Sequence, residues 1–228
     1  MTTAVQVKKM VKTLLQRHPD LELVGRWIYV KPVHHFARAV LVGGTSSAEH
    51  FDPRWAAVHL FEARHFFPLN WGGMISDPHQ GHWWSAKNDP NVAEALVDAI
   101  EEQALPWLRM MSTLDLYLAF VSQNLFRHHL YDKSSSEIVA HVACGYLGAA
   151  REICGKRLKD WSTDHPDYDD EDRAKFRRLQ ELCTLLVADD RAGLARLLHE
   201  WEAQTVKNFK IEHIWEPTPF PLELQSKS

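Results

Sequence analysis

The chain has 228 residues, with 26 Lys+Arg against 30 Asp+Glu, 45% apolar residues, 14 His, 9 Trp and 3 Cys. A compact chain of this length buries roughly 70% of its extended surface, so one core, or two small ones sharing an interface, needs neither disulfide nor metal. Charged residues at 25% beside plentiful Leu, Val, Trp and Phe exclude a wholly disordered chain, and a net charge of −4 gives no basis for a nucleic-acid partner.

Near the N-terminus, Lys8, Lys9 and Lys12 interrupt the apolar residues before the core of a secretory signal can form. The longest clean apolar run, residues 116–121, falls far short of the ~20 residues of a membrane helix. Cys144, Cys154 and Cys183 show no CxxC spacing and read as free, buried thiols in a reducing compartment. The expectation is a cytoplasmic protein with no membrane partner.

In chain order, residues 3–18 predict an amphipathic helix. Thr3 and Gln6 have capping-box spacing, Val7, Met10, Val11, Leu14 and Leu15 fall on one face, and Pro19 ends the run. Residues 21–30, 36–42 and 55–62 are rich in β-branched and aromatic residues, with residues 43–47 and Asp52-Pro53 between them as turns. A fourth strand is possible around residues 81–85, and connections this short suit antiparallel pairing.

From Asp89-Pro90 onward the pattern is helical. Val92, Ala95, Leu96, Ala99 and Ile100 make a buried face, Pro106 breaks it, and residues 112–115 and 134–137 offer further capping boxes. Helices follow at about residues 170–188 and 190–207, and the Pro-rich tail from Trp215 runs extended. The fold class is therefore α+β: an N-terminal helix on a three- to four-stranded antiparallel sheet, then an all-helical C-terminal half. The natural division is residues 1–90 and 91–228, as two domains or one continuous one. The first part carries ten Lys+Arg against seven Asp+Glu and the second 16 against 23.

The order helix, four short strands, then a helix running into Leu105-Pro106-Trp107-Leu108 and Ser112-Thr113-Leu114 resembles a family of small bacterial domains of unknown function, over roughly residues 4–123. That resemblance implies an α+β fold and no assigned chemistry. Residues 144–152, with Tyr146-Leu147-Gly148 and the alanines that follow, look like the turn of one tetratricopeptide-type helical hairpin. No second copy occurs at the period near 34 residues that an array requires, and a single helix with small residues is the other reading.

Chemistry-bearing motifs are few. Asp77, His79 and His82 lie within six residues of a Gly/Pro loop beside Trp83 and Trp84, and could ligate zinc or iron with a further ligand such as His50 or His65. HExxH and HxE…PCxxC patterns are missing. His34-His35 and His128-His129 are adjacent, so their rings point apart, and His141 reads as a hydrogen-bonded helix histidine. Residues 43–47 lack the lysine and following helix of a phosphate loop, and the acidic run from Asp160 to Asp172 lacks calcium-loop spacing.

The aromatic loop region, Phe66, Phe67, Trp71, Trp83 and Trp84, is the candidate binding surface, because rigid aromatics dominate interface hot spots. The same rings could instead close the core between the two halves. The leading expectation is a non-catalytic cytoplasmic binding or accessory protein, without cofactor, that recognises a protein partner through this loop or self-associates through it. The alternative is a metal-dependent hydrolase with its site at Asp77, His79 and His82.

Overall fold

The computed structural model describes residues 3–47, 49–69, 71–78, 84–85, 90–124, 133–157 and 169–225. The capping box at the N-terminus forms: Gln6 N–H donates to Thr3 Oγ1 at 3.2 Å and Thr3 N–H donates to Gln6 Oε1 at 2.8 Å. The expected single helix is two, α1 (Ala4–Met10) and α2 (Lys12–Arg17), meeting at Val11, whose ψ of 9° departs from helical geometry. The bonds from Val11 N–H to Val7 O and from Leu15 N–H to Val11 O cross this break, so Val7, Val11 and Leu14 still share one buried face.

Residues 21–30 are not one strand but a hairpin, β1 (Leu21–Val24) and β2 (Trp27–Val30). The two-residue turn needs positive φ, and Gly25 supplies it at +65° without a Cβ penalty. The sheet continues through β3 (Phe36–Gly44), β4 (His50–His59) and β5 (Gly72–Met74), in that spatial order, with β6 (Trp84–Ser85) also paired to β4. All pairings are antiparallel, as the short connections predict.

Asp52-Pro53 is not a turn; it lies inside β4, opposite Gly43 and Val42. The Val42 amide turns away to Arg26 O at 3.0 Å, so the Val42–Pro53 pair exchanges no bonds and the missing proline N–H costs the β3–β4 ladder nothing. Strand β5 escaped the periodicity argument because it is largely glycine. A Cβ on Gly72 would run into the Trp55 carbonyl, so only glycine lets β5 approach β4 this closely.

Each face of the sheet meets helices. α3 (Val92–Gln103), α4 (Leu105–Met110) and α5 (Leu114–Asn124) follow the strands. On one face, Arg38 donates to Leu108 O at 3.3 Å and Met111 O at 3.1 Å, and Trp55 lies 6.3 Å from the Trp107 ring and 5.9 Å from Phe120. On the other, Phe67 stacks on Trp27 at 4.4 Å and on Phe209 at 5.4 Å.

The helical half contains α6 (Lys133–Ala143), α7 (Leu147–Arg157), α8 (Asp170–Val187), α9 (Arg191–Phe209) and the short α10 (Pro221–Leu224). Residues 144–152 are not part of one continuous helix: Gly145 at φ +78° turns the chain between α6 and α7. Ser134, Ser135 and Ser136, expected before a helix start, lie within α6. Asp169 caps α8, accepting from Asp172 N–H at 2.8 Å, and Asp190 caps α9, accepting from Gly193 N–H at 2.9 Å.

The tail runs extended beside Val33, which exchanges bonds with Ile214 O and Glu216 N–H. Buried apolar residues form one contiguous cluster from Val7 to Leu222. Among the described residues no helix is long and apolar enough to cross a membrane.

The cysteines correct the sequence reading. Cys154 on α7 and Cys183 on α8 are disulfide-bonded, and only Cys144 is a free, buried thiol. Helix packing brings the two Cα atoms to 6.5 Å, inside disulfide reach, across a separation of 29 residues that carries no spacing motif.

Candidate functional site

Strand β4 ends at His59, where four polar side chains meet in the core. Tyr117 on α5 places its hydroxyl 2.9 Å from the His59 backbone nitrogen and 2.9 Å from His59 Nδ1. Glu62 Oε2 lies 3.0 Å from His59 Nε2, and Arg64 Nη2 contacts both that carboxylate oxygen and, at 3.0 Å, Nε2. Nε2 thus faces both a carboxylate that accepts and a guanidinium that donates, while the Tyr117 oxygen accepts the His59 backbone N–H and its hydroxyl bonds with Nδ1.

Burial lowers the His59 pKa, with Glu62 opposing and Arg64 and Lys175 adding to the effect, so the ring is neutral. Burial works against Glu62 ionising, but Arg64, His59 and the Ser136 hydroxyl outweigh it and hold that carboxyl well below its ordinary range. Burial raises the Tyr117 phenol. The quartet thus contains one ion pair, Glu62 with Arg64, and two neutral groups whose polar atoms are all engaged.

The turn that carries Glu62 and Arg64 is fixed from below. Ala63 takes φ +49°, Arg64 N–H donates to Thr205 Oγ1 at 2.9 Å, and Asn208 Nδ2 donates to Arg64 O at 2.8 Å. This turn is one wall of a cavity of about 390 Å³, within the size range of small-ligand sites. Val139 of α6, Leu179 of α8 and Trp201 of α9 give it an apolar lining, and Phe66 stands at it with its side chain exposed. Lys175 and Arg178, one turn apart on α8, line it and are half-buried. No ion pair or hydrogen bond joins either to another described residue, and Glu171 and Glu62 act on Arg178 only through space. Glu171 and Asp172 also line it but are exposed, in the first turn of α8, where acidic groups offset the helix dipole.

Of the expected aromatic site residues that are described, Phe66 alone stands exposed; Phe67 is half-buried against Trp27 and Phe209. Trp71 is buried, its ring 5.4 Å from the Arg64 guanidinium carbon and 5.1 Å from the His59 ring. Trp84 is fully buried, donating to Ile75 O at 2.8 Å and stacking on Phe51. Trp83, His79 and His82 lie outside the described residues, as do His128 and His129. Asp77 is buried, and no group of three or more potential metal ligands occurs among the described residues. His50, considered as a distant ligand, lies 3.0 Å from Ser47 Oγ, and His65 lines the cavity, exposed.

A second polar cluster holds the tail. Glu202 on α9 is fully buried between His35, whose Nδ1 is 3.0 Å from Oε1, and His199, whose Nδ1 is 3.5 Å from Oε2. His199 Nε2 reaches Glu223 on α10 at 2.8 Å, and His35 Nε2 faces Thr218 Oγ1 at 3.1 Å and Pro219 O at 3.3 Å. Phe220 stacks on the His35 ring at 4.0 Å, and together these contacts clasp the C-terminal segment to α9.

The cavity residues were not legible as a site in the sequence. Glu62 and Arg64 flank one alanine at the end of a predicted strand, and the only signal on α8 is the i,i+3 spacing of Lys175 and Arg178. No family model matches the chain, nor does any curated protein or solved structure. The resemblance to small bacterial domains therefore reaches no further than the α+β class, and no kinship with tetratricopeptide repeats follows from the α6–α7 hairpin.

Proposed function

We propose that this is a non-catalytic binding protein that receives a segment of a protein partner in the cavity bounded by the 62–66 turn, α6, α8 and α9. The observation that carries the reading is Phe66, which is 59% exposed and stands at a cavity to which Val139, Leu179 and Trp201 give apolar walls. An exposed aromatic beside an apolar pocket is the usual anatomy of an interface hot spot. The engagement of every polar atom of His59 and Tyr117 within the core supports a structural part for that quartet rather than proton transfer.

The test is a photo-crosslinking residue placed at position 66 and, as a control, at Tyr146, exposed in the turn between α6 and α7. Position 66 should yield one adduct that position 146 does not. Phe66→Ala should then weaken the purified partner by about 30-fold or more, the effect of losing an anchor aromatic. The same adducts at both positions, or an affinity that Phe66→Ala leaves unchanged, would overturn the reading.

The cytoplasmic location expected from the sequence belongs to the same proposal. The Cys154–Cys183 disulfide weighs against it, since cytosolic thiols are kept reduced. Alkylating the protein at the moment of cell lysis and counting blocked cysteines decides between them: three blocked supports the cytoplasm, one an oxidising compartment.

A further inference from the structure

We infer that what enters the cavity is the carboxylate of an acidic segment of that partner, seated between Lys175 and Arg178 with an adjoining apolar group against Phe66 and Leu179. This rests on the binding reading above and adds the chemistry of the bound group.

The fold leaves cations here that no described residue pairs at contact distance. Lys175 and Arg178 share a face of α8, line the cavity half-buried, and make no ion pair or hydrogen bond to any described residue. Arg64 Nε, in the same wall, is buried and has no hydrogen-bond partner among the described residues. Keeping cations partly out of water without an anion is costly, and burial lowers the Arg178 pKa accordingly.

Of the three acidic groups that line the same space, Glu171 and Glu62 favour the charged form of Arg178 through space, but none forms an ion pair with it or with Lys175. Glu62 is held by Arg64 and His59. Asp172 turns to the Asp169 N–H at 3.4 Å in the α8 cap, and Glu171 is exposed in the same turn. The apolar lining then favours a carboxylate carried on a hydrophobic body over a fully hydrated small acid.

Phenylacetate is the probe, with phenylacetamide as its neutral isostere and inorganic phosphate as the dianion. Titration into the full-length ¹⁵N-labelled protein, read at the arginine Nε–Hε resonances of Arg64 and Arg178, should show saturable shifts with phenylacetate. Phenylacetamide should bind at least about 10-fold more weakly, as should phenylacetate to Lys175→Gln or Arg178→Gln, each having lost one charge-assisted contact. Both variants keep an extended polar side chain on the α8 surface, and an unchanged circular dichroism melt confirms their fold.

Equal binding of the acid and the amide would overturn the inference while leaving the cavity a binding site. Tighter binding of phosphate would overturn it in favour of a phosphorylated guest. No saturable shift with any probe, while the cross-link at position 66 persists, would overturn the carboxylate assignment alone; loss of that cross-link as well would remove the binding reading beneath it.

Discussion

Replacing Tyr117 with phenylalanine tests whether the buried quartet holds β4 and α5 together. The substitution keeps the ring, which stacks on Phe36 at 4.9 Å, so no cavity opens. What disappears is one oxygen with two partners: the His59 backbone N–H and His59 Nδ1, each at 2.9 Å, in a residue 1% exposed to solvent. Each buried polar group left unbonded costs about 1–3 kcal/mol, so the pair should cost about 2–4 kcal/mol after local relaxation. In urea, with a slope near 2–3 kcal/mol/M for a chain of this size, the midpoint should fall by about 1 M at unchanged slope. Tyr146→Phe, at an exposed position, is the control and should stay within about 0.5 kcal/mol. A Tyr117→Phe midpoint within error of the parent would show that water or another acceptor serves His59, and the account of the quartet would fail.

Acid should act on the same cluster in two stages. His59 is held below its ordinary value of 6.5, so the unfolded chain takes up the proton first and stability declines as pH drops below about 6.5. Glu62, held below its ordinary 4.5, adds a second loss below about pH 4.5, and Glu62→Gln should remove that lower limb; a urea midpoint constant over this range would refute both assignments. Thiol titration in denaturant without reductant should find one reactive cysteine, Cys144, and three after reduction. In the native protein Cys144 should react slowly, since burial and then Asp115 push its thiol up to about 12. Reducing the disulfide across its separation of 29 residues should lower stability by about 3–4 kcal/mol, and a smaller change would mean that α7 and α8 hold each other without it. Glu202→Ala leaves the buried His35 ring without its Nδ1 partner and should cost about 1–3 kcal/mol; carboxypeptidase should then trim the C-terminal segment faster, and unchanged trimming would refute the clasp.

What the sequence determined by itself is what depends on neighbours along the chain. The capping box of Thr3 and Gln6, the buried face through Val7, Val11 and Leu14, and the α+β class with its antiparallel strands all follow from spacing and side-chain chemistry. Gly25 was equally local and could have been read: a lone glycine dividing a ten-residue run is a hairpin signal. Pro53 was misread because proline reads as punctuation until the register shows that its missing donor faces away from β3.

The candidate site lies on the other side of that line. Trp71 and Trp84 look like Phe66 in a string of aromatics, but which ring is exposed depends on which strand and helix cover it. The Cys154–Cys183 pairing and the meeting of His59, Glu62 and Arg64 with Tyr117 join residues whose separation in sequence has no period to detect. Lys175 and Arg178 read as solvated charges on an amphipathic helix, and only the tertiary structure sets them in the wall of a cavity opposite the 62–66 turn. Spacing reports which residues share a face; tertiary structure decides what that face meets, and the chemistry of this protein is set there.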